Sequence, residues 1–174
     1  KKVSTFLNTQ HTSIELTEED FFAAIPEVIY AIESYDTTTV RASIGNYLVS
    51  KYIKDTSSAK VIFNGDGSDE LFGGYLYFNH ISNSLQFDNE CRRLLDDIHM
   101  YDVLRSDKSI SSNGLEPRTP FLDRQFTQYI LSLSPIVRYK GGLLMDESYS
   151  FRYIEKYLLR MAFNDEDNPI LPYD

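Results

Sequence analysis

Apolar residues recur along most of the chain at helical spacing, whereas a period of two is confined to short stretches. Residues 11–16 (HTSIEL) alternate polar and apolar side chains, which predicts a strand. Thr17 follows and precedes three acidic residues, a pattern that predicts a helix with Thr17 as its N-cap. Because Pro26 falls within that helical run, a break or a second helix start is expected there.

The same spacing continues through the rest of the chain. Further helices are predicted over residues 39–54, 121–133 and 148–163, and on a face formed by Phe87, Cys91, Leu94, Leu95, Ile98 and Tyr101. A strand is predicted over residues 61–63, a turn over 113–120 and a charged loop over 164–169. More helix than strand, with short strands between helices, indicates an α/β protein.

Composition and charge limit the function classes. With 174 residues, of which 42% are hydrophobic, the chain can bury a core. Its net charge of −9 argues against a general nucleic-acid-binding or anionic-membrane-binding surface, so any phosphate must be bound locally. Cys91 is the single cysteine, and no signal peptide or long apolar span is evident, which predicts a reducing, cytoplasmic location.

Residues 60–78 (KVIFNGDGSDELFGGYLYF) combine a short apolar strand, a glycine-rich turn and a helix-compatible segment. Backbone N–H groups at such a turn attract an anion. Asp66, Asp69 and Glu70 would repel a bare phosphate but suit a phosphate that carries Mg²⁺. The segment therefore indicates a phosphate–magnesium site, and the alternative is a structural turn with Ser68 or Asp69 as a helix cap.

A second polar group lies in residues 33–43 (ESYDTTTVRAS). The hydroxyls of Thr38 and Thr39 and the guanidinium of Arg41 form a donor set that can hold a phosphate or a carboxylate. The alternative is that Asp36 and the threonines cap a helix and that Arg41 is a solvated charge.

A third candidate is Asp102, which follows Ile98 by four residues and is expected at the edge of the apolar helix face. A partly buried carboxylate requires a cation or a metal. A helical Asp102–Arg105 ion pair is the alternative.

Four segments, in this order and separation, resemble the synthetase domain of glutamine-hydrolysing asparagine synthetase: YDTTTVRAS, VIFNGDGSDELFGGYLYF, HMYDVLRSDKS and GLEPRTPFLD. The resemblance covers nearly the whole chain. It implies the helix-rich part of a Rossmann-like (adenine nucleotide alpha hydrolase-like) domain whose parallel sheet lacks its first strands. It also implies a reaction: ATP adenylates the β-carboxylate of aspartate, pyrophosphate leaves, and ammonia derived from glutamine attacks the β-aspartyl-AMP.

The resemblance also implies roles for individual residues. It assigns adenylate formation to Thr38, Thr39, Arg41 and Asp66, nucleotide contact to Asn64 and Gly65, and Mg²⁺ binding to Asp69 and Asp102. Asn64 stands where the family usually has serine, and Asp66 stands where close relatives carry glutamate. ATP and Mg²⁺ are the implied cofactors.

The S-G-G-x-D-S pyrophosphate loop and the N-terminal glutaminase domain of that family do not occur in residues 1–174. The chain is therefore expected to be a partial synthetase domain that works with the missing parts on aspartate, ATP and ammonia or glutamine, and a homodimer is compatible with this. It is expected to expose apolar sheet surface when isolated. The alternatives are a non-catalytic interaction subunit and a related adenylating enzyme similar to β-lactam synthetase.

Overall fold

A computed structural model describes residues 2–139, 144–145, 151–152, 155–164 and 170. Within them the structure is α/β and helix-rich. Its helices are α1 (Lys2–Phe6), α2 (Glu18–Ile32), α3 (Thr37–Thr56), α4 (Ser68–Phe72), α5 (Ser84–Asp97), α6 (Asp102–Ser111), α7 (Arg124–Ser132), α8 (Pro135–Tyr139) and α9 (Tyr157–Ala162). Its strands are β1 (Val61–Phe63), β2 (Glu116–Arg118), β3 (Leu144–Met145) and β4 (Phe151–Arg152).

The chain divides into two compact units that interleave along the sequence. The first unit comprises Lys1–Ser13, Gly67–Leu95 and Phe121–Asp174. The second unit comprises Ile14–Asp66 and Asp96–Pro120. Each unit has its own apolar core.

Helix α2 of the second unit begins as the sequence predicts. Thr17 and Asp20 form a capping box, in which Thr17 N donates to Asp20 Oδ2 at 2.8 Å and Asp20 N donates to Thr17 Oγ1 at 3.2 Å. The strand predicted for residues 11–16 is absent, and the segment is a mostly exposed stretch without regular secondary structure. Alternation alone supplies no hydrogen-bonding partner, and a strand requires one.

The break predicted at Pro26 is also absent, because α2 runs through it without interruption. Proline removes one backbone hydrogen bond, the one that the carbonyl of Phe22 would accept. Phe22 is 63% exposed, so water can reach that turn of the helix. One face of α2 packs against α3, and the contact buries Ala24, Val28 and Ile32 of α2 and Val40 and Ile44 of α3. This burial keeps the helix continuous.

Helix α3 contains the predicted segment and extends it at both ends, and it leads to the predicted strand β1. β1 pairs in parallel with β2, in the register Val61↔Glu116 and Phe63↔Arg118. The turn predicted over residues 113–120 therefore contains a strand. Pro117 is tolerated because β1 and β2 form a two-stranded sheet in the described structure, so one side of β2 needs no donor.

The apolar face predicted over residues 87–101 is divided between three elements. Helix α5 ends at Asp97, Ile98–Met100 forms a 3₁₀ turn, and α6 starts anew at Asp102. Asp102 therefore occupies the first turn of a separate helix instead of the edge of the earlier one. Tyr101, with φ −120° and ψ −96°, makes the break and is 57% exposed.

The first unit has two apolar clusters. One contains Leu71, Phe72 and Ile130, and the other contains Phe78, Phe87 and Cys91. Helix α7 forms within the predicted segment, with Asp123 as its N-cap.

The end of the chain departs from the sequence prediction. Of the helix predicted over residues 148–163, α9 covers Tyr157–Ala162, whereas Phe151–Arg152 is a strand that pairs antiparallel with β3. Residues 148–150 and 153–154 of that prediction lie outside the described residues. Residues 165–169 of the predicted loop lie outside the described residues. No helix in the described ranges has the length and apolarity needed to cross a lipid bilayer.

Candidate active site

The loop Asn64, Gly65 and Asp66 leaves the carboxyl end of β1 in the second unit. Asn64 N donates to the carbonyl of Arg118 at 2.9 Å, which extends the parallel pairing with β2 by one residue. Ligands of α/β proteins bind outside the carboxyl ends of parallel strands. The fold therefore places three of the predicted site residues at the edge where such proteins bind substrates.

The side chain of Asn64 connects this loop to α6. Its Nδ2 donates to Asp66 Oδ2 at 3.0 Å and to Ser106 Oγ at 2.8 Å, and its Oδ1 accepts from Asp66 N at 3.2 Å. Ser106 is 3% exposed and Asp66 is half-buried. The sequence analysis missed Ser106, because no motif singles out a serine in the middle of a helix.

Asp102 lies one turn before Ser106 on α6, and residues four apart share a helix face. Its carboxylate forms an ion pair with Arg105, whose side chain is 20% exposed. The helix-pair alternative from the sequence analysis is therefore the observed arrangement. A cation already balances the carboxylate that the resemblance assigns to Mg²⁺.

Thr38, Thr39 and Arg41 lie in the first turns of α3, and Asp36 is the N-cap. Oδ1 of Asp36 accepts from Thr39 N at 2.8 Å and from Thr39 Oγ1 at 2.7 Å. Two hydrogen bonds from Thr39 lower the pKa of Asp36. The larger effect comes from the backbone N–H of Thr39 and the smaller from its hydroxyl. The capping alternative is therefore observed. Arg41 is exposed and has no ion-pair partner within the described ranges.

In the first unit, the turn that starts α4 is held by Gly67, which is the helix N-cap in place of the Ser68 or Asp69 that the sequence suggests. Gly67 has φ +90°, a conformation that side-chain-bearing residues rarely adopt. A Cβ at this position would also lie 2.6 Å from Cγ of Leu122. Both facts require glycine.

Asp69 lies in α4, and Lys156 Nζ is 3.0 Å from its Oδ1. A Cβ at Gly74 would clash with the Asp69 carboxylate and would lie 2.6 Å from Lys156 Cε. The missing side chain at position 74 therefore makes room for this ion pair. Lys156 was not predicted, because it is far from Asp69 in sequence and belongs to no recognisable motif.

The neighbouring acid, Glu70, is 3% exposed and accepts a short hydrogen bond from the hydroxyl of Tyr75. Burial raises the pKa of Tyr75, and the hydrogen bond to Glu70 raises it further by a smaller amount. The tyrosine therefore keeps its proton and remains a donor. The sequence suggested a magnesium-facing role for this acid, whereas Glu70 faces a tyrosine.

No group of three or more His, Cys, Asp or Glu side chains that could hold a metal ion occurs in the described parts of the chain. Mg²⁺ is commonly bound by one or two carboxylates together with substrate phosphates. Asp69 and Asp102 stay predictions as Mg²⁺ ligands, because each carboxylate is paired with a cation in the described structure.

Comparison with known proteins identifies the family. A family model described as asparagine synthase matches residues 1–90 and 80–173. The chain belongs to the asparagine synthase family. This membership agrees with the resemblance that the four sequence segments indicate, and it covers both structural units.

Members of the asparagine synthase family that are similar to this chain include three glutamine-hydrolyzing asparagine synthetases. The protein of Gallus gallus is 44% identical over 173 residues, that of Mesocricetus auratus is 43% identical and that of Homo sapiens is 42% identical. Each comparison covers 99% of this chain and 28% of the relative. The chain thus spans 28% of the length of the curated relatives that it matches.

Proposed function

We propose that this chain is part of an enzyme that makes asparagine by adenylating the β-carboxylate of aspartate with ATP and transferring ammonia to the acyl-adenylate. The observation that carries the proposal is the similarity to asparagine synthetases, at 42–44% identity, over 99% of the chain. A polar loop at the carboxyl end of a parallel strand supports it, because that edge suits a nucleotide. The relatives are named glutamine-hydrolyzing, which supports glutamine as the nitrogen source.

The architecture proposed for the complete enzyme follows from the same comparison. β1 and β2 would belong to a larger Rossmann-like sheet, and residues 1–174 would form part of the synthetase domain. A pyrophosphate loop and a glutaminase domain would complete it. The single cysteine, Cys91, is free and buried, which supports the proposal of a reducing, cytoplasmic location.

Within the second unit, Asp66 is the proposed carboxylate at the reacting centre, and the Asn64–Gly65 backbone lies beside the nucleotide. Gly65 supports this because a Cβ there would meet no atom within 4 Å, so a ligand can approach the backbone closely. Thr38, Thr39 and Arg41 are proposed to act in adenylate formation, with Arg41 as an exposed guanidinium suited to a phosphate or carboxylate.

Asp69 and Asp102 are the proposed carboxylates for Mg²⁺. Bound Mg²⁺ would neutralise charge on the pyrophosphate as it leaves. The chain supplies a cation for each carboxylate, Lys156 for Asp69 and Arg105 for Asp102. Each ion pair holds its carboxylate in place, and Mg²⁺ would compete with that cation for the carboxylate oxygens.

Exchange of labelled pyrophosphate into ATP tests the proposal, measured on the full natural polypeptide that contains this chain. The expected result is exchange that requires both aspartate and Mg²⁺, with glutamate as the negative control. Substitution Asp66→Ala should abolish exchange, whereas Asp107→Asn, at an exposed position on α6, should leave it unchanged. A folded protein without exchange would contradict the proposal and favour an interaction subunit.

A further inference from the structure

The side chain of Asn64 uses both of its donors, and accepts one hydrogen bond, within the second unit. A carboxamide has two N–H donors, and Asn64 uses one on Asp66 Oδ2 at 3.0 Å and the other on Ser106 Oγ at 2.8 Å. Its carbonyl oxygen accepts from the backbone N–H of Asp66 at 3.2 Å. Asn64 therefore holds Asp66 at two points and has no donor left for a nucleotide.

We infer that Asn64 is a positioning residue that orients the Asp66 carboxylate, and that the buried hydroxyl of Ser106 anchors Asn64 in that orientation. This inference rests on the proposed function and changes one role within it. The sequence resemblance places the side chain of Asn64 beside the nucleotide, whereas the hydrogen bonds direct it to a neighbouring acid. Only the backbone of the loop then remains to approach the nucleotide.

The anchor is well suited to this role. Ser106 is 3% exposed and lies on α6, so the helix holds its backbone and its side chain is buried. The Asn64 amide then fixes Oδ2 of Asp66, and no described residue forms a hydrogen bond with Oδ1. One carboxylate oxygen is held while the other is available to a reacting group. Holding a reacting group in place lowers the reaction barrier, because even a small displacement of that group reduces the reaction rate steeply.

The matched substitutions Asn64→Asp and Asn64→Ala separate the positioning role from two alternatives: that Asn64 binds the nucleotide directly, and that it has no role in the reaction. Asn64→Asp keeps the shape and the acceptor for the Asp66 N–H, but it removes both donors and places a second carboxylate beside Asp66. In the full natural polypeptide, we expect kcat of aspartate-dependent pyrophosphate exchange to fall about 10- to 100-fold, more in Asn64→Asp than in Asn64→Ala. The Kd of a non-hydrolysable ATP analogue should not change in either variant.

A double-mutant cycle tests the anchor. Ser106→Ala should lower kcat less than Asn64→Ala, and it should add nothing in the Asn64→Ala background, because both act through the same carboxylate. Ser111→Ala, on the same helix but exposed, and Asn83→Asp, whose exposed side chain caps backbone N–H groups through Oδ1, are the controls that should not change kcat. Circular dichroism and melting temperature establish that each variant is folded.

Each outcome decides between the ideas. Suppose that the wild-type protein catalyses exchange. If Asn64→Asp then kept the wild-type kcat, or if a variant bound the ATP analogue more weakly at an unchanged kcat, the inference would be overturned and the proposed function would stand. Additive effects of Asn64→Ala and Ser106→Ala would overturn the anchoring role of Ser106. A folded wild-type protein without exchange would overturn the proposed function, and the inference with it.

Discussion

The ammonium group of Lys156 lies 3.0 Å from Oδ1 of Asp69 and joins the residue before α9 to α4 in the first unit. Lys156 itself has a left-handed backbone conformation, with φ 55°. The pair is partly exposed, with 26% of the lysine side chain and 36% of the aspartate side chain accessible. A partly exposed ion pair contributes little to stability. The pair is therefore better explained by a role in holding the Asp69 carboxylate in place than by a contribution to folding.

Removing that charge should reduce activity more than stability. Asp69→Asn keeps the size of the side chain but weakens both the attraction to Lys156 and the proposed binding of Mg²⁺. We expect the rate of aspartate-dependent pyrophosphate exchange to fall about 100-fold or more, and the Mg²⁺ concentration at half-maximal rate to rise. Asp107→Asn is the matched control, and an equal loss of stability and rate in Asp69→Asn would indicate a structural role.

The space at Gly74 gives a second prediction. Gly74→Ala would place a methyl group against the Asp69 carboxylate, 2.8 Å from its Cγ, and against Lys156. The ion pair must shift, and because the displaced atoms are the ends of two flexible side chains, we expect little change in unfolding free energy but the loss of most of the exchange activity. Gly45→Ala is the matched control, because nothing lies within 4 Å of a Cβ there in the middle of α3. It should stabilise the protein by about 0.5–1 kcal/mol.

Thermal denaturation and exchange measured on both glycine variants check this prediction. If Gly74→Ala retained the wild-type rate, the close packing of Asp69 against this glycine would be contradicted.

The N-cap of α3 should respond to acid. The hydrogen bonds from Thr39 lower the pKa of Asp36 below its ordinary value of 3.8. Because the folded pKa is lowered, the contribution of Asp36 is fully present above pH 3.8 and is lost as the pH falls through the folded pKa. Asn caps a helix without titrating, so Asp36→Asn is the control.

Hydrogen–deuterium exchange of the first turn of α3 measures this effect. In the wild-type protein, protection of Thr39 should fall as the pH drops below 3.8 and through the lowered pKa of Asp36. In Asp36→Asn, this protection should not depend on protonation at position 36. Identical pH profiles for the two proteins would show that the cap does not titrate.

The buried thiol offers a probe of the first unit. Burial raises the pKa of Cys91 to about 12, so at pH 8 the thiol is protonated and inaccessible. We expect slow labelling of the Cys91 peptide by a thiol reagent in the native protein and rapid labelling in urea, measured by mass spectrometry. Phe78→Leu should accelerate native labelling about tenfold, because it loosens the cluster around Cys91.

Phe63→Leu is the control for this experiment, since Phe63 is 77% exposed and lies in the other unit. Rapid labelling of the unmodified native protein would contradict the buried position of the thiol.

The sequence was sufficient for elements whose signals are local. The Thr17 cap, helix α3 and strand β1 follow from capping residues and periodicity, and the structure confirms them. It was insufficient where contacts between distant residues decide. Strand β2 forms because β1 lies beside Glu116–Arg118, which no pattern in a proline-containing tripeptide reveals. Packing against α3 likewise overrides the helix-breaking tendency of Pro26.

The candidate site shows the same division. The glycine-rich loop and its acids are visible as a sequence motif, and the structure places Asn64, Gly65 and Asp66 where a ligand can approach. The partners of those acids are not visible in this way. Lys156 meets Asp69 and Tyr75 meets Glu70 only through the fold, and Ser106 meets Asn64, the neighbour of Asp66, in the same way. Two of these three pairs join residues far apart in sequence.

The interleaving of the two units has a consequence for biosynthesis. Val61 is synthesised before its pairing partner Glu116, and the whole of Gly67–Leu95, which belongs to the other unit, is synthesised between them. On the ribosome, α2 and α3 can pack as soon as they emerge, but the strand pair has to close a long loop and forms late. A chain arrested before Glu116 would carry β1 with an open edge, the kind of surface that molecular chaperones shield from aggregation.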